Sequence, residues 1–328
     1  MPERDEDWIR AIAPAFRQAL SGYAAGRLPA NIAAMQLLMQ ARAPEDAEQA
    51  VMRLLQRLCE RPERSETRPL ETVLAVLRSN PGAWRTVRTV LDDVRHDEAP
   101  GDADAAVRRW AAAFDRAARA SPEGSVALYA LGNPELLKAA TEEVVVWLRG
   151  RGLIGRERQV LDLGCGIGRF GAALAGQVGG YVGIDISGEM IAAARRRCAG
   201  LGGVSFAQTS GRDLSLFRDS AFDVVLAVDA FPYLVQSGTE LAETHVAEAA
   251  RVLKAGGDLL ILNFSYRGDP AGDLADLRRL AGACGLALVR DGLQPFSLWD
   301  GAVYHLSKRK MSPSAPSAPE PSREGSVI

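Results

Sequence analysis

A glycine-rich turn between an apolar segment and a helical segment is the stretch best suited to bind a ligand. Residues 160–171 read VLDLGCGIGRFG. Gly164, Gly166 and Gly168 permit positive φ angles and let a ligand approach the backbone, because no Cβ atom stands in the way. The free amide groups at the start of the following helix suit a carboxylate or a phosphate. The turn therefore predicts a site for a ligand with an anionic group.

Two carboxylates flank this turn and limit the choice of ligand. Residues 166–171 satisfy the GxGxxG pattern of dinucleotide-binding enzymes, so a nicotinamide- or flavin-dependent oxidoreductase is one interpretation. Asp162 favours another, because a carboxylate at the mouth of the site repels a pyrophosphate and attracts the ammonium group of an amino acid. Asp185 ends the next apolar segment, where it can accept hydrogen bonds from both ribose hydroxyls in either case. Together they predict a nucleoside ligand.

Three residues after another apolar segment could contact a substrate. Asp229, Phe231 and Tyr233 follow the segment 222–228, and the two aromatic rings could form walls of a substrate pocket. A buried apolar corner with a capping aspartate explains these residues equally well. Asp229 and Tyr233 are also candidates for a general base.

Four more residues are candidates for catalysis or for the pocket. His245 and His305 could act as general bases, although packing inside a helix and a strand accounts for them more readily. Tyr129 could close a lid over the site or simply pack against it. Trp299 lies in a loop that can border a substrate pocket.

A sheet with crossover helices is the scaffold that this pattern predicts. Short apolar runs alternate with helical segments from residue 159 onward, which is typical of a mostly parallel sheet. Such a sheet binds ligands at the carboxyl ends of its strands. Ser237 and Glu240 have the spacing of a helix capping box. The predicted strands are 159–163, 180–185, 203–208, 222–228, 257–264, 286–290 and 302–308, with helices near 169–176, 188–199, 238–254 and 273–284.

The rest of the chain divides into three other parts. Apolar residues recur at helical spacing over residues 1–120, which predicts an all-α domain whose 18 arginines balance 18 acidic residues. Residues 121–140 form a connector or lid, and residues 141–310 hold the sheet. The segment 311–328 is rich in Pro, Ser and Ala and predicts a disordered tail.

The overall composition excludes several functional classes. The 328 residues include 39 basic and 41 acidic side chains, so the net charge of −2 provides no positive field for nucleic acid or an anionic membrane. No apolar run is long enough to span a bilayer, and the acidic N-terminus does not resemble a signal peptide. The four cysteines and three histidines are too scattered to form a metal site, so a reducing, cytoplasmic location is expected.

Four motifs in order resemble the class I S-adenosylmethionine-dependent methyltransferases. They are VLDLGCGIG, VGIDIS, FDVVLAVDAFPYL and RVLKAGGDLLIL, and the resemblance covers about residues 136–308. It implies a Rossmann-like, seven-stranded α/β sheet with helices on both faces and an antiparallel last strand. It also implies methyl transfer from S-adenosylmethionine without a metal.

The resemblance assigns roles to individual residues. Asp162 would reach the ammonium group, Asp185 would hold the ribose, and Ile186 and Met190 would pack near the adenine. Ser210 aligns with an acidic residue that contacts the adenine in many relatives, and Asp213 could substitute for it. The implied cofactor-binding positions are Asp162, Gly164, Cys165, Gly166, Gly168, Asp185, Ile186, Met190, Ser210, Gly211, Asp213 and Asp229.

The acceptor and the reaction stay open at this point. The links between the strands are short, so the helical domain must supply walls of the acceptor pocket, and its neutral charge favours a small or medium-sized organic acceptor over a nucleic acid. The methyl group could go to oxygen, nitrogen or carbon. Alternatives are another S-adenosylmethionine-dependent transfer or cyclisation on the same fold, a NAD(P)-dependent oxidoreductase, and a non-catalytic interaction protein. The helical domain could also pair two copies in a homodimer.

Overall fold

The computed structural model describes residues 14–59, 67–94 and 102–309. Its first part is helical, and a 3₁₀ turn (Leu128–Ala130) lies between the last two helices of that part. The predicted tail 311–328 and the first 13 residues lie outside the described ranges. The helices ahead of the sheet are α1 (Pro14–Ala24), α2 (Ala30–Gln40), α3 (Pro44–Cys59), α4 (Thr67–Ser79), α5 (Ala83–Asp93), α6 (Ala103–Ala120), α7 (Pro122–Val126) and α8 (Pro134–Arg149).

A seven-stranded sheet follows these helices, which confirms the predicted fold class. The strand order is β3-β2-β1-β4-β5-β7-β6. Strands β1 to β5 pair in parallel, whereas β7 pairs antiparallel with both β5 and β6. The elements are β1 (Gln159–Leu163), α9 (Arg169–Leu174), β2 (Gly180–Asp185), α10 (Gly188–Arg197), β3 (Val204–Gln208), β4 (Phe222–Val228), α11 (Phe231–Ser237), α12 (Thr239–Val252), β5 (Leu253–Leu262), α13 (Pro270–Ala283), β6 (Leu286–Leu293) and β7 (Val303–Lys308).

Successive residues of the central strands enter different cores. Val224 and Leu226 of β4 belong to one buried cluster, which also contains residues of α8 and α9. Val225 and Ala227 belong to another, which contains residues of α12 and α13. Because side chains alternate across a strand, these clusters cover opposite faces of the sheet. Both faces are therefore buried, as the near-continuous apolar runs in the sequence require.

Two local predictions were wrong. Strand β5 begins at Leu253 rather than at residue 257, because Leu253 pairs with Phe222 and the next pair joins Val224 to Asp258. Gly256 and Gly257 thus lie inside the strand, at an irregularity of its pairing with β4. Ser237 does not cap α12: its hydroxyl donates to the carbonyl of Tyr233 (2.7 Å), at the end of the separate helix α11.

Helix α6 packs the helical part of the chain onto the sheet. Its start is fixed by Asp102, whose side chain accepts a hydrogen bond from the amide of Asp104 (2.9 Å). At its other end, Asp115 Oδ1 accepts hydrogen bonds from the hydroxyl of Ser187 (2.5 Å) and the amide of Glu189 (3.1 Å). These atoms belong to the first turn of α10. The carboxylate of α6 therefore stabilises the start of the helix that follows β2.

No helix in the described ranges combines the length and the apolar character needed to cross a membrane.

Candidate functional site

A cavity of about 590 Å³ opens at the carboxyl ends of β1, β2, β4 and β5. Its walls come from both the sheet and the helical part of the chain. This size lies within the usual range for small-molecule sites. The predicted site residues that line it are Tyr129, Asp162, Gly164, Cys165, Gly166, Asp185, Ile186, Met190, Gly211, Asp213, Asp229, Tyr233, His245 and Trp299.

Four predicted site residues do not line the cavity. Phe231 is fully buried and stacks on Phe264 (5.9 Å between ring centroids), so it is a core residue rather than a pocket wall. His305 bonds to Asp258 through Nε2 (2.9 Å), within the sheet. The other two are Gly168, at the start of α9, and the exposed Ser210.

The glycine turn uses its own backbone amides. The amides of Gly164 and Cys165 both donate to the carbonyl of Ile184 (2.9 Å each). The amide of Gly166 donates to Asp185 Oδ2 (2.9 Å), and that of Gly168 donates to the carbonyl of Cys165. All three glycines have positive φ angles between 51° and 73°, which explains the residue type. Four amides of this turn are therefore engaged within the protein.

Asp162 is a buried carboxylate with one partner. Oδ2 accepts a hydrogen bond from the hydroxyl of Tyr181, whereas Oδ1 is buried and has no partner among the described residues. Burial raises the pKa of this carboxyl to about 7, against the opposing effects of Tyr181 and the nearby Arg169. Asp162 thus offers one carboxylate oxygen to a ligand in the cavity.

Arg169 supplies the positive charge of the cavity. It is 7% exposed and donates through its guanidinium to the hydroxyl of Tyr129 (3.1 Å) and to Thr141 Oγ1 (3.4 Å). In the described part of the chain it forms no ion pair. Tyr129 is itself fixed, because its ring stacks on Trp299 (5.8 Å) and its carbonyl accepts a hydrogen bond from Asn31 of α2 (3.0 Å).

Asp185 is held by the backbone on two sides. The amide of Gly166 donates to Oδ2 and the amide of Ser187 donates to Oδ1, both at 2.9 Å. Burial nevertheless raises the pKa of the carboxyl to about 6. The two amides fix its orientation at the end of β2, where its oxygens line the cavity.

Asp229 has a strained backbone and a fixed side chain. Its φ angle is +55°, which is uncommon for a residue other than glycine. Oδ1 accepts hydrogen bonds from Asn263 Nδ2 (2.7 Å) and from the hydroxyl of Tyr266 (2.9 Å). Burial raises the pKa of Asp229 to about 6. Such strain at the end of a strand is typical of positions whose geometry serves a site.

His245 has a defined tautomer when neutral. Nδ1 lies 2.8 Å from the carbonyl of Leu241, which can only accept, so Nδ1 carries the proton and Nε2 carries the lone pair. Burial lowers the pKa of the imidazole, which favours this neutral form. Asp213, its neighbour in the lining, accepts hydrogen bonds from the amide and hydroxyl of Ser215.

Aromatic side chains of α6 meet the sheet at Tyr233. The ring of Tyr233 makes edge contacts with Trp110 and Phe114, each with 4.9 Å between centroids. Its opposite neighbour is Tyr266, at 6.0 Å. The helical part of the chain thus forms an aromatic wall of the cavity.

The polar lining residues that sequence reasoning missed include Arg169, Asn263, Tyr266 and Asp300. Asn263 immediately follows β5, so the rule that selected Asp229 after β4 would also have selected it. Arg169 could have been noticed as a charged residue inside an otherwise apolar turn and helix. Asp300 and Tyr266 lie in loops and carry no comparable signal.

Two possible chemistries receive no support from the described residues. Cys165 is buried, and burial raises the pKa of its thiol well above the ordinary value, which keeps it protonated. Within the described ranges, no group of three or more His, Cys, Asp or Glu side chains could hold a metal ion.

Comparisons with known proteins agree with this geometry. Residues 160–257 match the family model described as "Methyltransferase domain". The chain is 32% identical over 166 residues to a demethylmenaquinone methyltransferase of Clavibacter sepedonicus, a match that covers 51% of this chain and 59% of that protein. It is 30% identical over 159 residues to the putative methyltransferase YqeM of Bacillus subtilis, covering 44% and 62%.

Among solved structures, this chain is similar to magnesium protoporphyrin IX methyltransferase (ChlM) from Synechocystis PCC 6803 with bound SAM. The two structures align with a TM-score of 0.48 and 22% sequence identity, and the alignment covers 64% of this chain and 99% of that one. The matched part of this chain spans about three fifths of the length of the two curated relatives. Residues 160–257 thus match a methyltransferase domain, and the strand order with its antiparallel β7 is the one that the resemblance to class I S-adenosylmethionine-dependent methyltransferases implies.

Proposed function

We propose that this protein transfers the methyl group of S-adenosylmethionine to a small or medium-sized organic acceptor held in the cavity. The observation that carries the proposal is the buried, unpartnered Oδ1 of Asp162 at the cavity wall. A buried carboxylate oxygen without a partner is costly, and an ammonium group would satisfy it. The relatives named demethylmenaquinone methyltransferases support methyl transfer as the reaction.

The residues around the turn fit the amino-acid end of this cofactor. Asp162 would accept from its ammonium group. Arg169, which is buried without a carboxylate partner, would hold its carboxylate. The two side chains carry opposite charges and both line the cavity, so they match a zwitterion better than either charge alone.

The other end of the cavity fits a nucleoside. Asp185 would accept hydrogen bonds from the ribose hydroxyls, with Ile186 and Met190 against the adenine. Gly211 has a φ angle of +70°, and a Cβ atom there would lie 2.6 Å from Ile186 Cγ2. A glycine is therefore needed to keep Ile186 in place. Asp213 and the neutral His245 also line the cavity and would accept from polar groups of the base.

When bound, S-adenosylmethionine supplies a methyl group already activated by its sulfonium. The chain must hold the acceptor in line with that group and exclude water. Asp229 is fixed by Asn263 and Tyr266 and would take a proton from the acceptor. Tyr233, Tyr129 and Trp299 would form walls of the acceptor end.

The dinucleotide alternative is disfavoured by the backbone of the turn. The amides of Gly164, Cys165, Gly166 and Gly168 are engaged within the protein, so they do not bind a pyrophosphate, and the carboxylate of Asp162 in the lining would repel one. A different transfer or a cyclisation on the same cofactor keeps every contact above. It is distinguished by its product.

The helical part of the chain completes the pocket in this proposal. Residues 1–120 would act as a cap and set the choice of acceptor, with 121–140 as connector or lid and 141–310 as the cofactor-binding domain. Helices α2, α5 and α6 all contribute to the cavity wall, which supports a small-molecule acceptor rather than a nucleic acid.

Isothermal titration with S-adenosylhomocysteine and with 5′-methylthioadenosine tests the proposal, because the second ligand lacks the amino-acid end. Arg169→Met should weaken binding of S-adenosylhomocysteine by roughly ten- to hundredfold, as expected for a lost charge-assisted hydrogen bond, and leave methylthioadenosine unchanged. Asp185→Ala should weaken both. Arg149→Met, on the exposed face of α8, is the control. Tight binding of a reduced nicotinamide dinucleotide, with none of S-adenosylhomocysteine, would refute the proposal.

The proposal includes pairing of two copies through the helical domain. Such pairing would appear as a dimer in analytical ultracentrifugation of the full chain.

The proposal also includes a cytoplasmic location. It is supported by the thiols of Cys165, Cys198 and Cys284, which are free among the described cysteines.

A further inference from the structure

The cavity extends beyond the residues assigned to the cofactor into an apolar chamber. Its walls are side chains of α2, of α5 with the residue that follows it, and of the 3₁₀ turn, and none of them carries a charge. They include Ile32, Met35, Met39, Leu91, Val94 and Leu128. Methionine side chains adapt to irregular shapes. This chamber therefore suits a hydrocarbon or aromatic body.

The opposite side of the acceptor end is built around Asp229. Asn263 donates to Asp229 Oδ1 and is itself fixed by Ala302. The side-chain oxygen of Asn263 accepts from the backbone amide of Ala302 (2.9 Å), and the backbone amide of Asn263 donates to the carbonyl of Ala302 (2.8 Å). Like Asp229, Asn263 has a left-handed backbone, with φ at +64°. The carboxylate orientation is thus set by two adjacent strand ends and the loop before β7.

The charges of the lining are strongly unequal. Five aspartates line the cavity, and Arg169 is the one Lys or Arg among the described lining residues. Asp162, Asp185 and Arg169 are assigned to the cofactor, and Asp213 lies beside His245. Asp229 and Asp300 remain at the acceptor end, and neither forms an ion pair in the described part of the chain.

The environment of these two carboxylates favours a cation. Burial raises the pKa of Asp229 and of Asp300; at Asp229 the hydrogen bonds from Asn263 and Tyr266 and the charge of Arg169 oppose this rise, and Asp300 adds to it. An acceptor with a positive charge would offset the free-energy cost of ionising these buried carboxyl groups, whereas a carboxylate or phosphate on the acceptor would increase that cost. The charge of the site thus distinguishes between classes of acceptor.

Aromatic rings surround the same space. Tyr233 and Tyr266 meet edge to face, and Tyr129 stacks on Trp299. All four line the cavity together with the two carboxylates. The faces of such rings attract ammonium groups, most strongly where water is excluded. Carboxylates and aromatic rings thus line the same cavity as the apolar side chains of the chamber, and Tyr233 belongs to the same hydrophobic cluster as Val94 and Leu128.

We propose that the methyl acceptor is an amine with an apolar body, whose nitrogen lies against Asp229 and whose body occupies the chamber between α2 and α5. This inference rests on the proposed methyl transfer and narrows its acceptor.

The step balances with groups already named. The Asp229 carboxylate takes one proton from the ammonium group of the acceptor, which leaves a neutral amine and a carboxylic acid. The nitrogen lone pair forms a bond to the methyl carbon as the carbon–sulfur bond breaks, and that electron pair stays on sulfur. The product is an N-methylammonium and a thioether, and Asp229 then releases its proton to water.

The test is a head-group series bound to the full chain saturated with S-adenosylhomocysteine. 4-Phenylbutylamine, 4-phenylbutan-1-ol and 4-phenylbutyrate share one body and differ in charge. Isothermal titration should give an amine affinity about tenfold above that of the alcohol, with the carboxylate weakest. Asp229→Asn should remove most of this preference while the alcohol affinity stays the same.

Asp300→Asn is a second, independent variant of the same test. If either Asp229→Asn or Asp300→Asn fails to fold, the other variant still decides the result. Asp219→Asn, at an exposed ion pair outside the cavity, is the matched control and should keep the preference. Equal or tighter binding of the alcohol or the carboxylate would overturn the amine proposal, as would binding of none of the three to protein that binds S-adenosylhomocysteine. Failure to bind S-adenosylhomocysteine itself would refute the proposed function and the amine proposal with it.

Discussion

Replacing Asp162 with asparagine should stabilise the ligand-free protein at alkaline pH while weakening its cofactor site. Asp162 is 1% exposed, and burial raises the pKa of its carboxyl from 3.8 to about 7. The folded protein therefore binds a proton at pH 5 that the unfolded chain has already released. Since the native state holds more protons between these two pKa values, the free energy of unfolding falls as pH rises from about 4 to about 7.

The size of the effect follows from the shift. Each pKa unit corresponds to about 1.4 kcal/mol, so the raised pKa of Asp162 lowers the free energy of unfolding by about 4 kcal/mol at pH 8 and by about 2 kcal/mol at pH 5. Asp162→Asn removes this dependence. Its amide can still accept from Tyr181, but an N–H group replaces the unpartnered oxygen, at a cost of about 1–3 kcal/mol at any pH. We expect a net gain of about 1–3 kcal/mol at pH 8 and little or none at pH 5.

Urea unfolding followed by tryptophan fluorescence at both pH values measures the difference. Asp219→Asn, at an exposed ion pair, should change the unfolding free energy by only a few tenths of a kcal/mol at either pH. The same Asp162→Asn protein should bind S-adenosylhomocysteine roughly ten- to hundredfold more weakly. A stability difference between wild type and Asp162→Asn that is the same at pH 5 and pH 8 would refute the assignment of a raised pKa to this carboxyl.

Three further predictions concern the turn at residues 164–168 and the residues that support the site. Cys165 should resist iodoacetamide under native conditions because burial raises the pKa of its thiol, and peptide mapping should show faster labelling of the partly exposed Cys284. Gly168→Ala should lower the free energy of unfolding by about 1–3 kcal/mol, because φ is +73° and the new Cβ atom would lie 2.9 Å from the Cβ atom of Ala194. Gly26→Ala is the control and should lower it by less, because its φ angle is similar at +68° and no atom lies within 4 Å. Asp115→Ala should cost about 1 kcal/mol in thermal unfolding and reduce S-adenosylhomocysteine affinity severalfold, by freeing the turn after β2; unchanged affinity would contradict that link.

The sheet could be predicted because its information is local. Each central strand is a short apolar run that ends near a glycine or an aspartate. A strand that is buried on both faces needs apolar side chains at successive positions, so such a run is enough to predict it. The same rule located Asp162, Asp185 and Asp229 at the carboxyl ends of β1, β2 and β4. The start of β5 was predicted wrongly, because the strand already begins at Leu253, ahead of Gly256 and Gly257.

The acceptor end could not be predicted in the same way, because its residues meet across long distances in sequence. The hydrogen bond between Asp229 and Asn263 joins residues 34 positions apart, and Asn31 contacts Tyr129 from 98 positions away. Helical periodicity predicts helices over residues 1–120, and Trp110 and Phe114 have the spacing of one apolar face of α6. It could not indicate that this face meets Tyr233 of the sheet rather than another helix.

The hydrogen bonds from Ser187 and Glu189 to Asp115 also bear on how such proteins can evolve. A methyltransferase sheet that gained a new helical cap by recombination would leave this hydroxyl and this amide without their acceptor, directly after Asp185, the residue proposed to hold the ribose. The cap and the sheet are therefore not interchangeable modules. A functional chimera would need an acidic residue at the position of Asp115, and acceptor specificity in this lineage would diversify more easily by point substitution within the cap than by its exchange.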